Sequence, residues 1–152
     1  MDPSAGWFEG RTHHLPVRVY YEDTDFTGLV YHANYARYFE RGRSDFLRLT
    51  GIDHAGLLGE AKPVAFAVRR MTMDFIRPAR IDDAVTVMTT YDTVTGPRIK
   101  IAQTLVRGGE ILAQATVEVA CIGFDGRPSR PPPGLAARLG PYLASPALTG
   151  AP

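Results

Sequence analysis

Between positions 34 and 50 the spacing of apolar residues takes on a helical rhythm. Tyr35, Tyr38, Phe39, Gly42, Phe46 and Leu49 recur at intervals of three and four, while Arg37, Glu40, Arg41 and Arg48 fall elsewhere on the cylinder. That pattern predicts one amphipathic helix of about 16 residues. The glycine of "TGI" (50–52) ends it, as glycine commonly does past a helix C-terminus. A second short helical piece is predicted over 53–60. Ala36 and Gly42 are small enough to let the long helix lie close against whatever covers its stripe.

On either side the texture is β. "PVRVYYED" (16–23) is rich in β-branched and aromatic residues and starts with proline, as a first strand can. After Pro63 come four long strand candidates: "VAFAVRRMTMDF" (64–75), "DAVTVMTTYDTV" (83–94), "RIKIAQTLVR" (98–107) and "EILAQATVEVACIGF" (110–124). Their separators, "IRPARID", "TGP" and "GG", are turn chemistry. The short ones demand antiparallel neighbours. The stripe on the helix must be buried, and the sheet is its only large partner. The expected architecture is therefore α+β, a curved antiparallel sheet wrapped around one long central helix. Residues 15–126 form that domain, with 1–14 expected as a loose tail. A Pro-rich C-terminal tail over 127–152 carries at most a short helix near 134–143.

Composition narrows the function classes. The 152 residues, 45% hydrophobic and 22% charged, suit one globular domain with a real core. A formal net charge of +1 gives no argument for nucleic-acid binding, so an anionic ligand would need a local basic patch. The single cysteine, Cys121, excludes an internal disulfide and reads as a small buried hydrophobe. No apolar run approaches the ~20 residues of a membrane span. "MDPSAGWFEGRTHH" lacks the apolar core of a secretion signal, and the expected location is cytoplasmic. His13 and His14 have no partner at metal-ligand spacing.

The chemistry concentrates in "YYEDTDFTGLVYHANYARYFE" (20–40), where Glu22, Asp23 and Asp25 immediately precede the helix. One reading is a charged turn followed by a helix with Asn34 as its N-cap. The other is a reactive carboxylate facing the free N–H groups of the helix start. Gly28 would let the backbone approach a ligand or take a positive φ.

The stretch "VRVYYEDTDFTGLVYHANYARYFERGRSDFLR" (17–48) resembles the signature of the hotdog-fold acyl-CoA thioesterases. It is nearest the branch that includes 4-hydroxybenzoyl-CoA thioesterase and the Tol-Pal-associated thioesterase. "VRRMTMDFIRPARIDD" (68–83) and the strands up to about 124 continue the resemblance. It implies a hotdog fold, hydrolysis of acyl-CoA thioesters, and Asp25 as the catalytic carboxylate. At His32 it implies a backbone N–H that polarises the thioester carbonyl, with an assisting side chain. Gly28, Tyr31 and Asn34 would line the substrate. Arg69, Arg70 and Arg77, with Arg80, Arg98 and Lys100, are candidates for the CoA phosphates. The resemblance further implies homodimers with joined sheets, or homotetramers built from them, and neither metal nor organic cofactor. Acyl carrier protein or the Tol-Pal complex would be possible partners.

Such a reaction asks little of the leaving group, because a thiol with a pKa near ~8.5 departs without a strong acid. A single carboxylate suffices, attacking directly or activating a water, and the sequence leaves both routes open. Burial, or a nearby Glu22 or Asp23, would raise the proton affinity of Asp25. Two other readings compete: a hotdog dehydratase or hydratase, whose local motifs are not found, and a module that binds acyl-CoA or a partner without turnover.

Overall fold

In the computed structural model, which describes residues 2–145, the apolar stripe lies where its periodicity places it. Helix α1 (His32–Leu49) buries Tyr35, Tyr38, Phe39, Gly42 and Phe46 against a six-stranded sheet. The strands are β1 (Trp7–Glu9), β2 (Thr12–Arg18), β3 (Val64–Phe75), β4 (Ala84–Thr95), β5 (Arg98–Arg107) and β6 (Glu110–Gly123). They run in the order β1-β2-β4-β5-β6-β3, antiparallel throughout. Two short helices, α2 (His54–Leu58) and α3 (Leu135–Leu139), complete the chain.

The strongest alternation is in β4, where Val85, Val87, Thr89 and Tyr91 all face the core. Gly42 sits directly over this strand: a Cβ there would lie 2.6 Å from Val87 Cγ1 and 2.8 Å from Thr89 Oγ1. Phe46 stacks on Tyr91 with ring centroids 4.2 Å apart. Phe39 and Phe46 are fully buried, and each such ring contributes roughly 1.5–3 kcal/mol. Polar groups accompany them. Gln103 Nε2 donates to Phe39 O at 2.8 Å and to Thr89 Oγ1 at 2.9 Å, while Arg43 Nη1 donates to Gln103 Oε1 at 3.0 Å.

The structure departs from expectation in four places. Leu49 is 38% exposed, and Leu47 is buried in its stead, on the side of α1 that shares a pocket with Tyr91, Ile99 and Val119. The first strand covers 12–18 instead of 16–23. The N-terminal segment is not a loose tail: Trp7–Glu9 pairs with Thr12–His14 across a turn in which Gly10 has φ +61°. His13, fully buried, fixes this hairpin to α1 through a 2.7 Å contact from Nε2 to Asp45 Oδ2, which also accepts from Gly6 N–H at 2.7 Å. At the other end, Leu135, Leu139 and Leu143 are buried, and the N–H groups of Ala144 and Ser145 bond to Tyr91 O and Asp92 O. The chain up to 145 is thus docked on β4, and the short helix falls inside the range expected for it. The rest of the expected tail, 146–152, lies outside the described residues. No helix among the described residues is long and apolar enough to cross a membrane.

Candidate active site

The site is a loop pinned to a helix end. After β2, Val19 is fully buried and exchanges backbone bonds with the 82–83 turn, through Val19 N–H to Asp83 O and Asp82 N–H to Val19 O. A 3-10 turn over Tyr21–Asp23 follows, and the Asp23 carboxylate folds back to accept Tyr20 N–H at 2.8 Å. Residues 24–30 then form a small closed loop. Thr24 bridges to Val30, Asp25 N–H donates to Leu29 O at 2.9 Å, and Gly28 N–H donates to Asp25 O at 3.1 Å. Gly28 has φ +79°, a conformation that glycine adopts without steric cost.

The outer side of this loop is fastened to a second turn. Val30 N–H donates to Ala79 O at 2.9 Å, Ile81 N–H donates to Gly28 O at 3.0 Å, and Tyr35 Oη of α1 accepts Ala79 N–H at 3.0 Å. That turn is braced by Asp83, whose Oδ2 accepts from Arg80 N–H at 2.9 Å and from Arg107 Nη1 at 2.6 Å. The sequence drew attention to Arg77 and Arg80 as phosphate ligands, whereas the residues that hold the loop here are Tyr35, Ala79, Asp83 and Arg107. Their signal was a chain rich in turn chemistry at 76–83, which marks a turn but not what it supports.

Asp25 stands at the surface. Its Oδ1 accepts both Thr27 N–H at 2.8 Å and the Thr27 hydroxyl at 2.5 Å. These bonds, the hydroxyl first, favour the charged form and hold the carboxyl below its ordinary pKa. The expected upward shift from burial or a neighbouring carboxylate is absent in the protomer, for a simple reason. Asp25 is exposed, and the Asp23 carboxylate is turned away toward Tyr20.

His32 is the first residue of α1. Its exposed ring lies beside Tyr31 with centroids 4.4 Å apart. The backbone N–H groups of His32 and Ala33 have no acceptor among the described residues, and they stand at the positive end of an 18-residue helix. The N-cap is Tyr31, which makes no side-chain capping bond, and not Asn34. Asn34 instead lies inside the first turn, and its Nδ2 donates to Asp23 O at 2.7 Å. That same carbonyl accepts Tyr31 N–H at 2.9 Å.

Five of the expected site residues, Asp25, Gly28, Tyr31, His32 and Asn34, thus meet at one loop–helix junction. The arginines lie apart from one another in their contacts. Arg69 pairs with Glu118 at 2.6 Å, and Arg77 pairs with Glu110. The Arg70 side chain makes no ion pair or hydrogen bond among the described residues, although its backbone lies in the β3–β6 ladder. Both Arg69 and Arg70 sit on β3, the long edge strand at the end of the sheet opposite β1, with Val68 and Phe75 half-exposed along it and Phe26 fully exposed on the loop. Cys121 is fully buried and burial raises its thiol pKa, so it offers no nucleophile.

Residues 19–139, a span that includes the whole junction, match the thioesterase-like superfamily. The chain belongs to that superfamily. The acyl-CoA thioesterase YbgC of Haemophilus influenzae is 44% identical over 108 residues, 71% of this chain and 79% of that protein. The acyl-CoA thioester hydrolase YbgC of Escherichia coli O6:H1 is 41% identical over 108 residues, 70% of this chain and 79% of that protein. Among solved structures, a probable thioesterase from Bartonella henselae superposes with a TM-score of 0.77 at 42% identity, covering 80% of this chain and 99% of that one. The sheet around a central helix is accordingly the hotdog arrangement of the thioesterase-like superfamily, as the motif at 17–48 led us to expect.

Proposed function

We propose that the protein hydrolyses acyl-CoA thioesters at this junction. Asp25 is the attacking or water-activating carboxylate, and the N–H groups of His32 and Ala33 receive the oxyanion. The observation that carries the reading is the Asp23 carbonyl. By accepting both Tyr31 N–H and Asn34 Nδ2, it draws the loop that bears Asp25 against a helix start whose donors are free. An ionised carboxylate and unpaired donors facing one carbonyl are what acyl transfer requires. The acyl-CoA activity named for the Haemophilus influenzae and Escherichia coli relatives supports the substrate class. An exposed aspartate is already ionised at neutral pH, and the bonds from Thr27 favour that charged form further, so no prior deprotonation is needed.

The exposed junction is completed, in this reading, by a second copy. Edge strand β3 carries a 12-residue row of backbone groups with no partner on one side, and such an edge is a template for pairing. A homodimer joined there, or a homotetramer of two such dimers, would cover Phe26 and bring basic side chains toward the site. Of Arg69, Arg70 and Arg77, Arg70 is the one whose side chain has no partner among the described residues and could meet a CoA phosphate, while Arg69 and Arg77 would first have to leave their carboxylates. Acyl carrier protein or the Tol-Pal complex as partner follows from the family resemblance and would be sought by pull-down, and the cytoplasmic location expected from the sequence by fractionation.

Thiol release from short, long and aromatic acyl-CoAs, compared for the native protein and Asp25→Asn, tests the proposal. The expected result is turnover that falls by about 10²–10⁴ in the variant. Equal rates would remove Asp25 from the chemistry. Binding of acyl-CoA without release by either protein would point to a non-catalytic module.

A further inference from the structure

We infer that Asn34 is a positioning residue, a side-chain clamp that sets where the Asp25 loop stands relative to the first turn of α1. The inference rests, for its kinetic consequence, on the hydrolase reading above. Its structural basis is independent. Asn34 is only 5% exposed, and its amide is oriented without ambiguity. Arg37 Nη1 donates to Oδ1 at 3.2 Å, which leaves Nδ2 as the group that donates to Asp23 O at 2.7 Å. A guanidinium has no acceptor, so the opposite orientation would set donor against donor on one side and acceptor against acceptor on the other.

The clamp acts at one point on both arms of the site. Asp23 lies two residues before Asp25, and Tyr31, the other donor to the same carbonyl, lies one residue before His32. The internal bonds of the loop, Asp25 N–H to Leu29 O and Gly28 N–H to Asp25 O, do not involve Asn34. Neither does the anchor from Val30 N–H to Ala79 O. Losing the amide therefore leaves the loop folded and still fastened at its outer side. Tyr31 N–H is then the remaining bond to Asp23 O, so that the loop's place relative to the first turn of α1 is less firmly set. Misplacement by about 1 Å is enough to cost on the order of 10²-fold in rate.

Two substitutions separate positioning from a merely structural role. Asn34→Ala removes the side chain. Asn34→Asp keeps its size and puts a negative charge in the first helical turn, where it favours the helix, yet it has no N–H to give to Asp23 O. We expect both variants to lower kcat by about 10–100-fold while KM stays close to the native value. Hydrogen exchange, read on peptides spanning 23–31, should quicken in both variants with that of the middle of α1 unchanged. A native-like kcat in Asn34→Asp, or unaltered exchange at 23–31, would overturn the clamp. So would faster exchange spread along the whole of α1, since Asn34 would then serve the helix and not the loop. If the native protein released no thiol from any acyl-CoA, the hydrolase reading would fall. The exchange measurement would still decide the clamp.

Discussion

Replacing Gly42 with alanine sets two effects of opposite sign against each other. In an ordinary helix interior the change is favourable by about 1 kcal/mol. Here the added Cβ would stand 2.6 Å from Val87 Cγ1, 2.8 Å from Thr89 Oγ1 and 3.1 Å from Gln103 Nε2. Carbon atoms in contact sit about 3.5–4.0 Å apart, so α1 and β4 must separate by close to 1 Å or the side chains must leave their places. Overpacking of this kind costs about 1–3 kcal/mol. The neighbour with least room to yield is Gln103, whose Nε2 is committed to Phe39 O and Thr89 Oγ1. Pulling one of those buried groups from its partner adds about 1–3 kcal/mol. The steric and hydrogen-bond losses together exceed the helix gain, and we expect Gly42→Ala to destabilise by about 2–3 kcal/mol. Urea unfolding reads this directly. With a slope of about 1–3 kcal/mol per M, the midpoint should fall by roughly 1 M with the slope unchanged. Both proteins must be compared at one concentration, because self-association would add its own stability. A midpoint equal to or above the native one would show that the helix is not seated on β4 through this glycine.

Two further outcomes follow from side chains already described. Burial holds the pKa of His13 below 6.5, more strongly than its bond to Asp45 raises it. The unfolded chain therefore takes up a proton near pH 6.5 that the folded one refuses, so this contribution is fully present above pH ~6.5 and is lost as pH falls below it, by up to about 1.4 kcal/mol per unit. Urea midpoints measured between pH 7.5 and 5 should fall less steeply for His13→Gln, and an unchanged slope would assign the dependence elsewhere. On the acyl-CoA reading, Arg70→Ala should raise KM several-fold, since a contact from this exposed guanidinium to a phosphate is worth about 0.2–1 kcal/mol. Arg69→Ala, whose guanidinium is already held by Glu118, should raise it less; steady-state kinetics at low and high salt would reverse the assignment if Arg69 proved the more damaging.

The parts of the fold that could be read were those where one local pattern dominates. Three- and four-residue spacing gave α1 almost to its ends, and β3 and β5 agree with the expected 64–75 and 98–107 at both boundaries. In each, flanking turn residues coincide with the change of period. The N-terminal hairpin escaped because its apolar content is two aromatic residues, Trp7 and Phe8, set among glycines and charges, and because its main anchor is polar. His13 and Asp45 are separated by 32 residues, and nothing in the sequence marks either as buried. Leu135, Leu139 and Leu143 were hidden in a similar way, by prolines that suggested a tail.

The same division runs through the site. The resemblance of 17–48 singled out Asp25 and His32, and residue type marked Gly28 as tolerant of positive φ; the structure brings all three to one junction, with Gly28 at φ +79°. The role of Asn34 could not be read in this way, because a polar residue near a helix start is most simply a cap, and only the structure shows its amide reaching back 11 residues to Asp23 O. The expectation that burial or a nearby carboxylate would make Asp25 hold its proton more tightly does not apply, for a related reason. It is conditional on burial or on a carboxylate close in space, and neither condition is met: Asp25 is exposed, the Asp23 carboxylate accepts Tyr20 N–H, and Thr27 supplies two donors to Asp25. Local sequence identifies which groups can react. Where they point is set by bonds to backbone carbonyls and amides, which every residue carries and no residue type announces. A site assembled mainly from such bonds should tolerate changes in a partly exposed loop side chain such as Thr24 far better than the loss of the buried Asn34 amide that shares the Asp23 carbonyl with Tyr31 N–H.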